Sequence, residues 1–208
     1  MTNTINNVNY TNFDLTYRQD FAIIAGWIGF GAKVLDLGCG DGTLLQFLRA
    51  SLETKGYGVE KDDTNWLACL QNGTNVIQMD LEAGLSGFED QSFDTVILSQ
   101  TLQAMHNTEE IVQEMLRVGH EIIVTFPNFG YWRNRIQITN GSMPVSKTLP
   151  YQWYDTPNVH LCTINDFDQF CKNHKITIIE RKVITEGKEI SFMPNLLGNL
   201  AMYRLKAK

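Results

Sequence analysis

The residues best suited to chemistry sit together in Asp36-Leu37-Gly38-Cys39-Gly40-Asp41-Gly42-Thr43, where a carboxylate leads into three alternating glycines with a second carboxylate among them. Glycine lets a backbone turn tightly and approach a bound molecule closely. The apolar run Lys33–Leu37 reads as a strand and the stretch Thr43–Leu52 as a helix. The turn and the helix start therefore lie at the carboxyl end of a strand, where open α/β sheets bind ligands. A bare G-x-G says little, but a strand before it and a helix after it make it informative.

The charges indicate the ligand. The dinucleotide fingerprint is G-x-G-x-x-G, and its third glycine would fall where this chain has Thr43. Asp36 and Asp41 would also repel a pyrophosphate. S-adenosylmethionine (SAM) has no phosphate and carries a cationic amino group and a sulfonium, so an acidic turn suits it better. An NAD-dependent oxidoreductase rests on the glycine turn alone. Two more acids follow strand-like runs: Glu60 after Gly58-Val59 and Asp80 after Gln78-Met79. Glu60 comes roughly 24 residues after Asp36, near the ~20 expected of an acid that holds ribose hydroxyls, and its carboxylate can accept from both of them. Asp80 can accept from the adenine amino group. The run Phe93–Ser99 should end beside the glycine turn, which puts Ser99 and Gln100 next to the methionine part. Cys39, Asp41, Lys61 and Leu81 adjoin these residues and complete the expected cofactor-binding set with Asp36, Gly38 and Gly40.

Other residues have competing readings. Cys39 reads as a small packing residue, since no His or Lys lies near it in sequence to activate a thiolate. Arg18 can reach over a cofactor carboxylate or stand as an ordinary solvated or ion-paired arginine. Residues 128–162 are rich in aromatics, Pro and Asn and form an expected insertion or lid. The substrate-side candidates are Gln100 and, in or beside that segment, Asn128, Trp132, Arg133, Tyr154 and His160. Asp155 with His160 can form a general-base pair or a structural one, and the aromatics can equally pack the insertion onto the sheet. No catalytic residue is assigned.

The elements that would position these residues alternate. Further apolar runs are Gly56–Glu60, Val76–Met79 and Ile122–Phe126, and the helical stretches between are Asp63–Leu70 and Glu109–Val118, the last with Thr108 as its expected N-cap. Phe13, Tyr17, Phe21, Ile24 and Ile28 predict a first helix ended by Gly29 and Gly31. Thr163-x-x-Asp166 reads as a capping box opening a helix to about His174. Strands over Lys175–Thr185 and Leu200–Lys206 close the chain, with Glu186-Gly187-Lys188 as the turn between. This order predicts an α/β fold, a Rossmann-like doubly wound sheet that is mostly parallel. A length of 208 residues predicts one domain. The net charge of −6, from 17 basic and 23 acidic residues, argues against nucleic acid; Arg133 and Arg135 make only a small cluster. The four cysteines, Cys39, Cys69, Cys162 and Cys171, and the four histidines lack metal-ligand spacing, so no metal is expected. No apolar run is long enough to span a membrane, and the polar N-terminus lacks a signal-peptide pattern. A cytoplasmic location is the expectation.

In combination, the glycine turn, Glu60, Asp80 and the Phe93–Ser99 run resemble the class I SAM-dependent methyltransferases over about residues 33–126. That resemblance implies a seven-stranded sheet with the last strand antiparallel. It also implies Asp36, Gly38 and Gly40 near the amino-acid part of SAM, Glu60 on the ribose and Asp80 near the adenine. Several further stretches resemble the MetW family of methionine biosynthesis: Leu98–Met105, Phe126–Arg133, Met143–Ser146, Leu149–Thr163 and Pro194–Gly198. This family resemblance implies a partner, homoserine O-acyltransferase, with SAM or S-adenosylhomocysteine as cofactor and a role as partner or regulator. A true methyltransferase acting on a small metabolite is the alternative.

Overall fold

A computed structural model describes residues 19–208. Phe13, Tyr17 and Arg18 lie outside the described residues; the first helix is described from Gln19 to Trp27 (α1) and stops before Gly29, as expected. β1 is Lys33–Leu37 and β4 is Phe93–Ser99. Between them come α2 (Thr43–Leu52), β2 (Lys55–Glu60), α3 (Asp63–Gln71) and β3 (Val76–Gln78). After β4 follow α4 (Thr108–Val118), β5 (Gly119–Pro127), α5 (Trp132–Thr139) and α6 (Ile164–Asn173). The chain closes with β6 (Ile176–Thr185), β7 (Lys188–Glu189), α7 (Pro194–Leu197) and β8 (Leu200–Ala207).

The sheet order is β3-β2-β1-β4-β5-β8-β6-β7. β1 to β5 are mutually parallel, and β8 runs antiparallel between β5 and β6. The mostly parallel sheet with an antiparallel last strand is the expected one. Beyond the seven anticipated strands, the two-residue β7 pairs with the end of β6. The turn between them uses Glu186 and Gly187, both with positive φ, the geometry of a tight hairpin.

Strand residues alternate between two cores. Leu35, Leu37, Val96, Leu98, Ile122 and Val124 pack under α4 and α6, with Met115, Phe167 and Tyr203 among their neighbours. Val34, Ile97, Ile123 and Met202 pack against α1 and α2 through Phe21, Ile24, Leu45 and Leu48. Apolar residues on both faces are what a sheet covered on both sides requires. Asp36 shares its strand face with Val34, so it is directed to the side covered by α1 and α2.

Two local expectations change. α4 begins at Thr108, with Asn107 rather than Thr108 in the N-cap position and no side-chain cap bond. Glu82 explains this: it accepts from the His106 N–H (2.7 Å) and from the Asn107 amide (3.4 Å), which draws Asn107 away from the helix end. Residues 128–162 contain the helix α5, which the sequence did not signal because its apolar residues do not mark a buried face. The capping box at Thr163 and Asp166 forms as expected, with both reciprocal bonds present.

Candidate functional site at the ends of β1 and β4

The chain builds β1, β2 and β3 outward in one direction, then returns to lay β4 on the other side of β1. Strand order thus reverses between β1 and β4, which opens a crevice at their carboxyl ends. A pocket of about 260 Å³ lies there. Asp36, Gly38, Cys39, Gly40, Asp41 and Ser99, all expected at the cofactor, line it, and so does Gln100. Phe21, Thr43 and Leu44 also line it. The sequence placed Thr43 at the end of the glycine turn and Phe21 and Leu44 only as helix residues, because which helix face covers the turn is decided by packing.

Gly38 has φ 67°, and a Cβ there would meet the Thr101 hydroxyl at 2.8 Å. Glycine is therefore required at this position on two grounds, conformation and space. Gly40 has φ 56°, and the place its Cβ would take is open, so its bare backbone faces the pocket.

Glu60 holds the turn. Its Oε2 accepts from the Gly40 N–H at 2.8 Å, and its Oε1 accepts from the N–H groups of Lys61 and Asp62, each at 2.8 Å. A carboxylate offers about four acceptor positions. Three are taken by backbone, so one on Oε2 remains. The expectation that both ribose hydroxyls could donate to this carboxylate is narrowed to one. Asp41 Oδ1 accepts from the N–H and hydroxyl of Thr43, fixing the entry to α2.

Lys61, Asp80 and Leu81 sit at the ends of the neighbouring strands. Asp80 pairs with Lys61 at 2.6 Å and accepts from the Glu82 N–H at 3.1 Å. The Lys61 pairing first, and the Glu82 N–H after it, hold the Asp80 carboxyl below its ordinary range, and the same pairing raises the Lys61 ammonium. The pair is exposed, so its contribution to stability is small. Leu81 is buried in the core under β2 and β4.

Electrostatically the site is acidic. Asp36 and Asp41 line it, and Glu60 backs it through Gly40. No Lys or Arg is among its described lining residues. Cys39 lies 3.7 Å from the Cys69 sulfur, and Cys69 donates to the Gly40 carbonyl at 3.1 Å. Burial, with the Asp36 charge next, pushes the Cys39 thiol up, and burial raises Cys69 as well. Both are held as thiols and pack the turn, so neither has the thiolate a nucleophile needs.

Gln100 directly follows β4 with φ 54° although it is not glycine. Such conformations persist where the surroundings enforce them. Here the Thr125 carbonyl and hydroxyl both accept from the Gln100 N–H, at 2.9 and 3.0 Å. Gln100 also lines a second cavity of about 640 Å³ with Gln19, Asp20, Lys147, Glu186 and Asn199. Among the described lining residues it is thus the one common to the two spaces.

The remaining candidates are dispersed. Asn128 is buried with its amide fully used: it donates to the carbonyls of Asn195 and Gly198 and accepts from Gly130 and Ile164. It braces the β5 end and has no hydrogen-bonding capacity left for a substrate. Trp132, Arg133 and Tyr154 are exposed and do not line the pocket at the glycine turn. His160 directs Nε2 to the His106 carbonyl at 3.2 Å. It forms no ion pair with Asp155 among the described residues, so the general-base pairing does not assemble. His160 lines a larger cavity, about 810 Å³, between the starts of α4 and α6 and floored by Phe126, Phe167 and Phe170. That cavity shares no described lining residue with the pocket at the glycine turn.

The family described as "Methionine biosynthesis protein MetW" matches residues 18–205. The chain belongs to the MetW family. It is 42% identical over 203 residues to the bifunctional methionine biosynthesis protein MetXA/MetW of Rhodopirellula baltica, an alignment covering 91% of this chain and 33% of that protein. The chain thus spans about a third of the length of that relative. In fold, this MetW chain resembles a SAM-dependent methyltransferase of Thermotoga maritima described as a possible histamine N-methyltransferase. The TM-score is 0.64 at 17% identity, covering 96% of this chain and 94% of that one. It also resembles a TehB-like SAM-dependent methyltransferase of Corynebacterium glutamicum, with TM-score 0.62 at 14% identity over 91% and 88% of the two chains. The fold is therefore the Rossmann-like fold of the class I methyltransferases. At such identities this likeness speaks to fold alone, since one fold hosts many activities.

Proposed function

We propose that this MetW protein binds SAM, or S-adenosylhomocysteine, at the ends of β1 and β4, and that it serves methionine biosynthesis as partner and regulator of homoserine O-acyltransferase. The observation that carries the cofactor reading is the acid-lined turn whose bare Gly40 is held open by the Glu60 carboxylate. Carboxylates there offset the sulfonium and ammonium charges of SAM and would oppose a pyrophosphate. In this reading Asp36, Gly38 and Gly40 face the amino-acid part, with Cys39 and Asp41 completing the turn and Ser99 beside it. Glu60 takes one ribose hydroxyl, and Lys61, Asp80 and Leu81 border the adenine. Calorimetry with SAM, S-adenosylhomocysteine and NAD tests this: SAM binding without NAD binding is expected, and tight NAD binding without SAM would overturn it.

The partner reading is supported by the Rhodopirellula baltica relative, in which a stretch like this chain is part of one longer protein named for MetXA as well as MetW. SAM lies downstream of methionine, so its binding can report pathway output. Regulation requires that SAM bind two states of the complex with different affinity. Mixing the protein with its host's homoserine O-acyltransferase and measuring mass by size exclusion with light scattering tests the complex. Acyltransferase rates with and without SAM test the regulation, and equal rates would remove it.

A second reading, methyl transfer to a small metabolite, is favoured by the polar cavity that meets the cofactor pocket at Gln100. Holding an acceptor in line with the sulfonium methyl would supply most of such catalysis. Labelled methyl product from a metabolite extract would support it, and none after broad screening would weigh against it.

A further inference from the structure

Helix α5 is inverted. Its one buried residue is Asn134, whose amide donates to the carbonyls of Asn128 and Phe129 at 3.3 and 3.4 Å. On the opposite side, by the 3.6-residue period, Trp132 and Ile136 face outward at 38% and 49% exposure. A helix on a free surface turns its apolar stripe inward; α5 does the reverse. Arg133 and Arg135 flank the outward stripe, and the Arg133 guanidinium lies 5.3 Å from the centre of the Trp132 ring.

The segment that follows extends this face. Met143, Tyr151 and Trp153 are exposed, Trp153 to 72%, and they line one shallow depression. Gln137 ties the segment to α5, accepting from the Val145 N–H at 3.1 Å and donating to the Val145 carbonyl at 3.3 Å. The result is a held surface rich in Trp, Tyr, Met and Arg, the composition of protein interface centres.

We propose that this face docks a folded protein whose surface carries an apolar centre bordered by carboxylates. Resting on the partner reading above, we take that protein to be the homoserine O-acyltransferase. Charge selects the occupant. Residues 128–162 hold Arg133, Arg135 and Lys147 against Asp155 alone, in a chain of net charge −6. Two-fold pairing with a second copy would set a self-complementary patch against itself, bringing Arg133 and Arg135 towards their own counterparts. An acidic-rimmed partner instead gains from both arginines. In the Rhodopirellula baltica relative, a stretch like this chain is part of one longer protein named for MetXA as well as MetW.

The test is the double variant Ile136→Glu with Trp153→Glu, mixed with the host's homoserine O-acyltransferase. Mass is read by light scattering and Kd by calorimetry. Wild type should form the complex, and the variant should bind at least about thirtyfold more weakly, the loss expected when interface hot spots are removed. Its circular dichroism and thermal midpoint should be unchanged, since both side chains are exposed. If the double variant does not fold, Trp153→Glu alone, on irregular backbone, decides in the same way. An unchanged Kd would overturn the face while leaving the partner reading intact. A wild-type homodimer that the variant dissolves would assign the face to a second copy and overturn the proposal. No wild-type complex would remove the partner reading and this proposal with it.

Discussion

Replacing Glu60 by Gln separates the two jobs assigned to its carboxylate. The side chain keeps its shape but gains an amide that donates. Three backbone N–H groups point at the present carboxylate: Gly40 on one oxygen, Lys61 and Asp62 on the other. The least costly arrangement keeps the amide oxygen on Lys61 and Asp62 and sets the NH2 against the Gly40 N–H, donor against donor. Losing one hydrogen bond to a charged group costs about 1.5–3 kcal/mol. For a chain of this size, each kcal/mol corresponds to roughly 2–4 °C, so the thermal midpoint should fall by about 3–12 °C. Gly40 is also the backbone that faces the pocket, and the one free acceptor position on Oε2 is lost to the ribose. The same 1.5–3 kcal/mol corresponds to roughly a ten- to 150-fold weaker Kd for SAM. Differential scanning fluorimetry and calorimetry read the two quantities independently. A lowered midpoint with unchanged SAM affinity would refute the ribose assignment and leave Glu60 as a brace. If neither changed, the argument that this carboxylate holds the turn would be wrong.

Gly38→Ala should destabilise by about 1–3 kcal/mol, because it forces a side chain into a left-handed conformation and into the Thr101 hydroxyl; adding Thr101→Ala should recover part of the loss in urea unfolding, and no recovery would disprove the steric contribution. Glu114 accepts from Arg117 and from the Leu85 N–H, which holds its carboxyl below the ordinary 4.5. A depressed folded value means this stabilisation is present above about pH 4.5 and is lost as pH falls through the folded value. Glu114→Gln should therefore lower the midpoint at pH 7 and narrow the gap to wild type at acid pH; a constant gap would contradict the linkage. Tyr203→Phe removes a buried hydroxyl that donates to Asp168 at 2.7 Å, and should cost about 1–2 kcal/mol in chemical denaturation without altering SAM affinity.

Strand and helix periods and turn chemistry are legible in the sequence because they lie within a few residues of one another. β1, α2 and β4 fall where the apolar runs and the glycine turn put them. The capping box at Thr163 needs only four residues to declare itself. The N-cap of α4 falls at Asn107 rather than at the expected Thr108, and Glu82, 25 positions from Asn107, captures the Asn107 side chain. Helix α5 is not legible in the sequence because its outward apolar stripe mimics no buried face.

By itself, then, the sequence determined the α/β alternation, the acidic glycine turn at a strand end, and the acids that end the next two strands. All of these follow from side-chain type at short separation. Tertiary structure alone decided that the Glu60 carboxylate closes on Gly40, 20 residues away, leaving one acceptor position instead of several. It alone set β8 between β5 and β6, saturated the Asn128 amide, and turned Trp132 outward. The reason is that a hydrogen-bonding group or an apolar ring declares its need in sequence, but which distant backbone or surface meets that need is settled only when the whole chain packs.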